Sequence, residues 1–114
     1  MATRSVIGIR ENDGQITQIY CHWDGYPSNH WPLLTQHYAI EHKVRQLMSY
    51  GDRSALDAKP ESGLFQNGSK ARTDADWIDY GQEYEYLFEN GTWYYRPVPL
   101  RGEKPPFTTY QADE

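Results

Sequence analysis

The sequence is short of the residues on which several structural classes depend. Cys21 is the single cysteine in 114 residues, so intrachain disulfides are excluded, and a reducing cytoplasm is the compartment that fits. No apolar run is long enough to cross a bilayer, and the first residues lack the apolar stretch of a signal peptide. We therefore expect a soluble, intracellular protein with no membrane partner.

Positive charge is also scarce. Eleven Lys and Arg residues face 16 Asp and Glu residues, which gives a formal net charge of −5 and a pI near 5.3. Proteins that bind DNA or RNA need a basic surface to meet the phosphates, so a nucleic acid polymer is not expected as a partner. A small anionic ligand stays compatible with this charge, because a few local arginines are enough to hold one.

Aromatic residues, by contrast, are abundant. The chain has four Trp, ten Tyr and three Phe, and each ring buries a large area while its polar end needs a hydrogen-bond partner. At this length we expect one domain, spanning 1–114, with a small β-rich core built from aromatic side chains.

An N-terminal hairpin is predicted over 4–22. A two-residue turn would pair Ile7 with Tyr20, whereas a three-residue turn with a left-handed Gly14 pairs Ile7 with Ile19. We favour the second register because it collects the apolar and small residues on one face of the hairpin.

A C-terminal hairpin is predicted over 84–96. Asn90-Gly91 is a strong signal for a two-residue type I′ turn, in which both central residues have positive φ. The resulting register places Phe88 opposite Trp93 and Glu85 opposite Arg96, and it also pairs Tyr86 with Tyr95 and Leu87 with Tyr94.

A helical segment is predicted over 32–51, after a loop at 23–31. Pro32 suits the first turn of one helix, and apolar spacing predicts a second helix from Glu41 to Tyr50, capped by Gly51.

The remaining segments are read as largely irregular. Residues 52–82 form a long variable loop, in which 73–80 could form a short helix or turn with Thr73 as its N-cap. Residues 97–114 form a proline-rich tail. The expected fold is α+β: a small antiparallel sheet made from two β-hairpins, with two short helices packed on one face.

Catalytic and metal chemistry find little support in the sequence. The spacing of the four histidines fits no familiar zinc pattern, so neither a metal nor a cofactor is expected; they are His22, His30, His37 and His42. Cys21 and His22 point to opposite sides of a strand, so the histidine is poorly placed to activate the thiol. We therefore assign no catalytic residue.

A binding site is the chemistry that the remaining residues favour. Rings in the segment after the first hairpin could stack on a purine base, and cations after the second hairpin could hold phosphates. The candidate ligand-binding residues are Trp23, Tyr26, His30, Trp31, Arg96, Arg101 and Lys104. Composition alone favours the alternative, in which Trp23 and Trp31 cap the core and the arginines are solvated.

The string Cys-His-Trp-Asp-Gly-Tyr-Pro at 21–27 resembles a signature of small bacteriophage proteins. The resemblance covers both ends of the chain but not 58–80, and it rests on Ala2–Ser5, Ile7, Asp13-Gly14, Ile19–Pro27, Lys43–Leu47, Gly51-Asp52 and the hairpin from Tyr84 to Tyr95.

Among such proteins the chain is similar to the Thoeris anti-defence sponge proteins. That similarity implies an oligomer that binds and sequesters a cyclic nucleotide or ADP-ribose-derived immune signal without cleaving it, in the cytoplasm of the infected bacterial host. It implies a small anionic nucleotide-type ligand and a homo-oligomer, but no binding residue of that family can be matched to this chain.

Two alternatives stay open. One is a small nucleotide phosphodiesterase with His22, His30 or Asp24 as general base. The other is an acidic inhibitor that binds a host defence factor through a protein interface.

Overall fold

The computed structural model describes residues 2–111, which form one mixed sheet and two helices. The elements in chain order are β1 Ser5–Arg10, β2 Ile16–Trp23, α1 Pro27–His37, α2 Glu41–Ser49, β3 Arg53–Ala55, β4 Arg72–Asp74, β5 Tyr84–Glu89 and β6 Thr92–Pro97. Neither helix has the length and apolarity needed to cross a membrane in this part of the chain.

The predicted fold class, an antiparallel sheet made from two hairpins, is wrong. The strand order is β3-β2-β1-β5-β6, with β4 also pairing β2. The two hairpins join through a parallel pairing of β1 with β5, and β3 also runs parallel to β2. Turn residues specify each hairpin locally, whereas the way two hairpins meet depends on contacts between distant residues. The sequence pattern therefore predicted the two hairpins but not the way in which they join into one sheet.

Both predicted hairpin registers are confirmed. In the first hairpin Ile7 lies opposite Ile19, and Ser5 lies opposite Cys21. In the second hairpin the pairs are Phe88 with Trp93, Leu87 with Tyr94, Tyr86 with Tyr95 and Glu85 with Arg96. Local turn chemistry was therefore sufficient to set the alignment within each hairpin.

The helices cover one face of the sheet. Alternate strand residues point toward them, and Leu34, Tyr38, Val44 and Leu47 pack against this face. The strand residues of this core are Ile7, Ile9, Ile19, Cys21, Tyr86, Phe88 and Trp93. The indole Nε1–H of Trp93 donates to the carbonyl of Tyr38 at 2.7 Å, which ties α1 to β6.

The first helix begins earlier than predicted. Pro27, not Pro32, occupies its first turn, after Tyr26 in an extended conformation, so 27–31 are helical rather than a loop. Pro32 lies inside α1, where its missing amide removes one backbone hydrogen bond. The second helix ends at Ser49, close to the predicted end, and Gly51 follows it.

The segment 52–82, predicted to be irregular, contains two short strands. The interpretation of Thr73 as a helix N-cap is wrong, because Thr73 lies in β4 opposite Thr17. The hydroxyls of these two threonines are 2.8 Å apart. Short strands of this kind have no periodicity of their own, and the free edge of β2 supplies their pairing partner.

The face away from the helices is covered by 76–82 and by the tail. Trp77 lies over Gly8, where an added Cβ would come within 3.1 Å of the indole and 2.8 Å of Ile16 Cγ2. The buried side-chain amide of Gln18 joins the segment 76–82 to the sheet. Its nitrogen donates to the carbonyl oxygen of Asp76, and its oxygen accepts from the backbone N–H of Ile78.

Replacing Gly8 by alanine should lower the free energy of unfolding by about 1–3 kcal/mol, the usual cost of overpacking a core. The new Cβ would have to displace Trp77 or Ile16. Urea denaturation of Gly8→Ala measures this loss, with Gln46→Ala on the exposed side of α2 as control. Equal stability of the two variants would contradict the close packing of Trp77 on β1.

Candidate functional site

Five aromatic side chains form a continuous surface beside the second half of β2. Tyr20 stacks on Tyr80 with 5.1 Å between ring centroids and on Phe65 with 6.5 Å. His22 lies 4.7 Å from the Trp23 ring, edge to face, and its Nδ1 is 2.7 Å from the Tyr20 hydroxyl. We call this set, Tyr20, His22, Trp23, Phe65 and Tyr80, the aromatic platform.

The positions of Tyr20 and His22 in the platform follow from strand alternation in β2. Ile19 and Cys21 point into the core, so Tyr20 and His22 point away from the helices. Between the pairings of β2 with β3 and β4, the side chain of Asp52 accepts the Tyr20 amide at 2.9 Å. This bond satisfies a backbone donor that no strand reaches and fixes the position of Tyr20.

The platform is open to solvent at one end. Trp23 is 44% exposed and Phe65 is 36% exposed. Phe65 follows Leu64, which forms an isolated bridge with Arg53, so the loop that carries Phe65 is tied to β3. The open ring of Phe65 continues the stack of Tyr20 and Tyr80 outward.

Two arginines border the platform. The Arg72 guanidinium lies 5.4 Å from the Tyr80 ring centroid. Burial raises the pKa of the Tyr20 phenol, and the nearby Arg4 guanidinium opposes that rise. The ion pairs within residues 2–111 involve Arg10, Arg45, Arg96 and Lys104, but neither of these two arginines. Burial raises the pKa of the Asp52 carboxyl, and the charge of Arg72 opposes that rise, so Arg72 acts on a carboxyl group beside the platform without forming an ion pair with it.

The predicted site residues are spread over different parts of the molecule. Trp23 belongs to the platform, and Tyr26, 40% exposed, precedes α1. Trp31 lies on α1 and packs against Tyr95 and Tyr110, with 5.9 Å and 6.2 Å between ring centroids. The structure does not bring these three rings together into one stack.

His30 is fully buried. Its Nε2 is 3.0 Å from Ser5 Oγ, and its ring lies 5.1 Å from the ring of Tyr86. Burial, with a smaller contribution from Arg53, lowers the pKa of His30 to about 3. The imidazole is therefore a neutral core group at physiological pH.

Cys21 is also a core residue. Burial raises the pKa of its thiol to about 11, although Arg53 opposes the rise. The thiolate needed for nucleophilic attack is scarce at neutral pH under these conditions.

Two of the three predicted phosphate-binding cations, Arg96 and Lys104, form ion pairs with a carboxylate. The fully buried carboxylate of Glu85 accepts from Arg96 Nε at 2.9 Å and from Lys104 Nζ at 2.7 Å. Arg96 also lies 4.2 Å from the ring centroid of Phe107. Arg101 is exposed. In β6, Arg96 points to the face opposite Tyr95 and Trp31, so these cations do not border those rings.

Five members of the site were not among the predicted candidates. Arg4, Tyr20, Phe65, Arg72 and Tyr80 lie outside the segments from which the candidates were drawn, and three of them fall in 52–82. A signal was present for Tyr20, because the favoured hairpin register already placed it away from the core. Nothing in the sequence placed Phe65 or Tyr80 beside it.

Metal ligands are not clustered in the described chain. Within residues 2–111 no group of three His, Cys, Asp or Glu residues is arranged to hold a metal ion. His22, the histidine of the platform, has Tyr20, Trp23 and Phe65 as its ring neighbours.

Comparison of the chain with protein-family models, with curated proteins and with solved structures finds no match.

Stability should fall as the pH is lowered from 6.5. His30 has a pKa near 6.5 in the unfolded chain and about 3 in the folded protein, so between these values the unfolded chain binds a proton that the folded protein does not. The free energy of unfolding should decrease by up to about 1.4 kcal/mol per pH unit from this residue. Denaturant melts between pH 5 and 7 should show a smaller slope in His30→Gln. His42→Gln, at an exposed position, is the control and should keep the slope. Identical slopes in all three proteins would contradict a buried neutral His30.

Replacing Glu85 by glutamine should destabilise the protein by about 3 kcal/mol, since breaking a buried ion pair leaves its partners without a counter-charge. The matched control is Glu89→Gln, which removes a 3.0 Å pair with Arg10 that is about one third exposed. Exposed pairs of this kind contribute at most about 1 kcal/mol. Urea denaturation compares the two, and equal losses would contradict a structural role for Glu85.

Proposed function

We propose that the protein binds and sequesters a small anionic nucleotide-type ligand, without cleaving it, on the aromatic platform. One observation carries the proposal: a ring stack that ends in an exposed phenylalanine and is bordered by two arginines whose side chains form no ion pair within residues 2–111. The stack is Phe65–Tyr20–Tyr80, and the arginines are Arg4 and Arg72.

The chemistry of these groups suits a nucleotide. A base can stack on an exposed ring, and stacking contributes about 1–3 kcal/mol per base. Guanidinium groups bind phosphate oxygens through paired N–H donors. In a chain of net charge −5, attraction of an anion depends on such local positive charge rather than on the overall field.

Binding without cleavage is supported by the state of two candidate catalytic groups. The sequence offered Cys21 as a nucleophile and His30 as a base, and both lie in the core. The Cys21 thiol stays protonated at pH 7, and the low pKa of the buried His30 makes its imidazole a weak base. His22 is the histidine that would contact a ligand on the platform, so a hydrolytic alternative depends on His22 or on the exposed Asp24.

The biological setting is part of the same proposal and rests on the sequence resemblance. We infer a phage anti-defence role in the cytoplasm of an infected bacterium, with a cyclic nucleotide or an ADP-ribose derivative as ligand. A homo-oligomer also stays a prediction.

The proposal is tested by isothermal titration calorimetry with cyclic AMP and ADP-ribose, with adenosine and inorganic phosphate as the separate halves of the ligand. Phe65→Ala should weaken binding about 5- to 150-fold, through loss of one stacking ring. Arg72→Gln should weaken binding of the phosphorylated probes about tenfold and leave adenosine unaffected.

Two exposed residues that are not members of the platform supply matched controls. Tyr50→Ala removes a ring that is 42% exposed, and Arg101→Gln removes an exposed arginine. Both should bind like the unmodified protein. Mass spectrometry of ligand released by heat should return it intact; a cleaved product would favour the phosphodiesterase alternative, and no binding of any probe would overturn the proposal.

A further inference from the structure

A groove runs between the outer side of α1 and the free edge of β6, away from the aromatic platform. It consists of two adjoining cavities of about 230 and 340 Å³, and Trp31 and Thr35 line both. The smaller cavity reaches Trp93 and Thr92 at the edge of β6, and the larger one is bordered by Tyr110 of the tail.

The groove floor includes an open strand edge. In the second hairpin the residues paired through hydrogen bonds alternate, so the backbone groups of Trp93 and Tyr95 point outward. Tyr95 uses its outward groups, because its amide and carbonyl pair with Thr108 at 2.8 and 2.9 Å. No backbone partner from residues 2–111 reaches the Trp93 amide.

The tail shows how a peptide binds at this edge. Thr108 adds one antiparallel bridge to β6, and two residues later the ring of Tyr110 packs against Trp31 and Tyr95. The pairing stops before Trp93, although an antiparallel register would bring Tyr110 beside it. The backbone donor and acceptor of Trp93 are left beside a cavity with an aromatic wall.

The absence of charged side chains from the groove lining indicates what kind of segment fits it. Among residues 2–111, none that lines either cavity is charged, in a chain with 24% charged residues. A charged side chain would lose hydration here without gaining a partner. An extended peptide satisfies the open backbone groups by strand addition, and alternate side chains enter the cavities.

The geometry points to β6 as the docking edge for a short, uncharged, extended segment of a partner protein, which pairs with Trp93 and places an apolar side chain against Trp31. This inference goes beyond ligand binding on the platform and does not rest on it. Phe65→Ala should therefore leave peptide binding unchanged.

The probe is a fluorescent peptide of sequence Thr-Val-Thr-Tyr-Thr with blocked ends, measured by polarisation and by amide hydrogen exchange of the protein. We expect saturable binding and at least tenfold slower exchange of the Trp93 amide. Ala39→Arg places a cation in the smaller cavity from an exposed position and should raise the Kd at least tenfold. Gln46→Arg on α2 is the control and should leave the Kd unchanged.

A second probe, N-methylated at its valine, lacks a backbone donor and should bind at least tenfold more weakly than the parent peptide. Equal affinity of the two peptides would overturn strand addition. Slow exchange of the Trp93 amide without peptide would show that the edge is already paired and would overturn the inference. If that protection grows with protein concentration, the strand that pairs with the edge belongs to a second copy of the chain. No binding up to about 1 mM would overturn the inference outright.

Discussion

The parallel pairing of β1 with β5 is the interaction on which the rest of the structure depends. Ile7 lies between Ile19 on one side and Tyr86 on the other, and all three are fully buried. Each hairpin alone would leave both strand edges and one apolar face exposed, and two-stranded hairpins are only marginally stable in water. Joining them produces a sheet wide enough for two helices to cover, and the core of the protein forms between the two layers.

That sheet also separates the two kinds of chemistry in the molecule. The face under the helices takes the reactive side chains Cys21 and His30 into the core, where burial suppresses their ionisation. On the other face, loops rather than helices lie against the strands, and part of β2 stays accessible. Tyr20 therefore becomes the centre of the aromatic platform, although Ile19 and Cys21 on either side of it are core residues.

The sequence predicted those features that depend on near neighbours. Asn90-Gly91 specified a hairpin whose register holds for every pair, including Glu85 opposite Arg96. The second ion pair of Glu85, with Lys104, could not be predicted in this way, because the approach of Lys104 depends on the path of the tail. Likewise, Phe65 and Tyr80 reach Tyr20 through a segment without periodicity, so their place in the platform could not be inferred from spacing.

The position of the first residues has a practical consequence for work with the protein. The carbonyl oxygen of Thr3 accepts a hydrogen bond from the backbone N–H of Gly25 at 2.8 Å, and that of Arg4 accepts from the backbone N–H of Glu83 at 2.9 Å. The chain is therefore held in place immediately before β1. The side chain of Arg4 reaches the platform from there. A purification tag fused ahead of this point would lie close to Arg4, and a charged tag would alter the electrostatic field at the ring surface. Affinities measured on tagged and untagged protein are therefore not interchangeable.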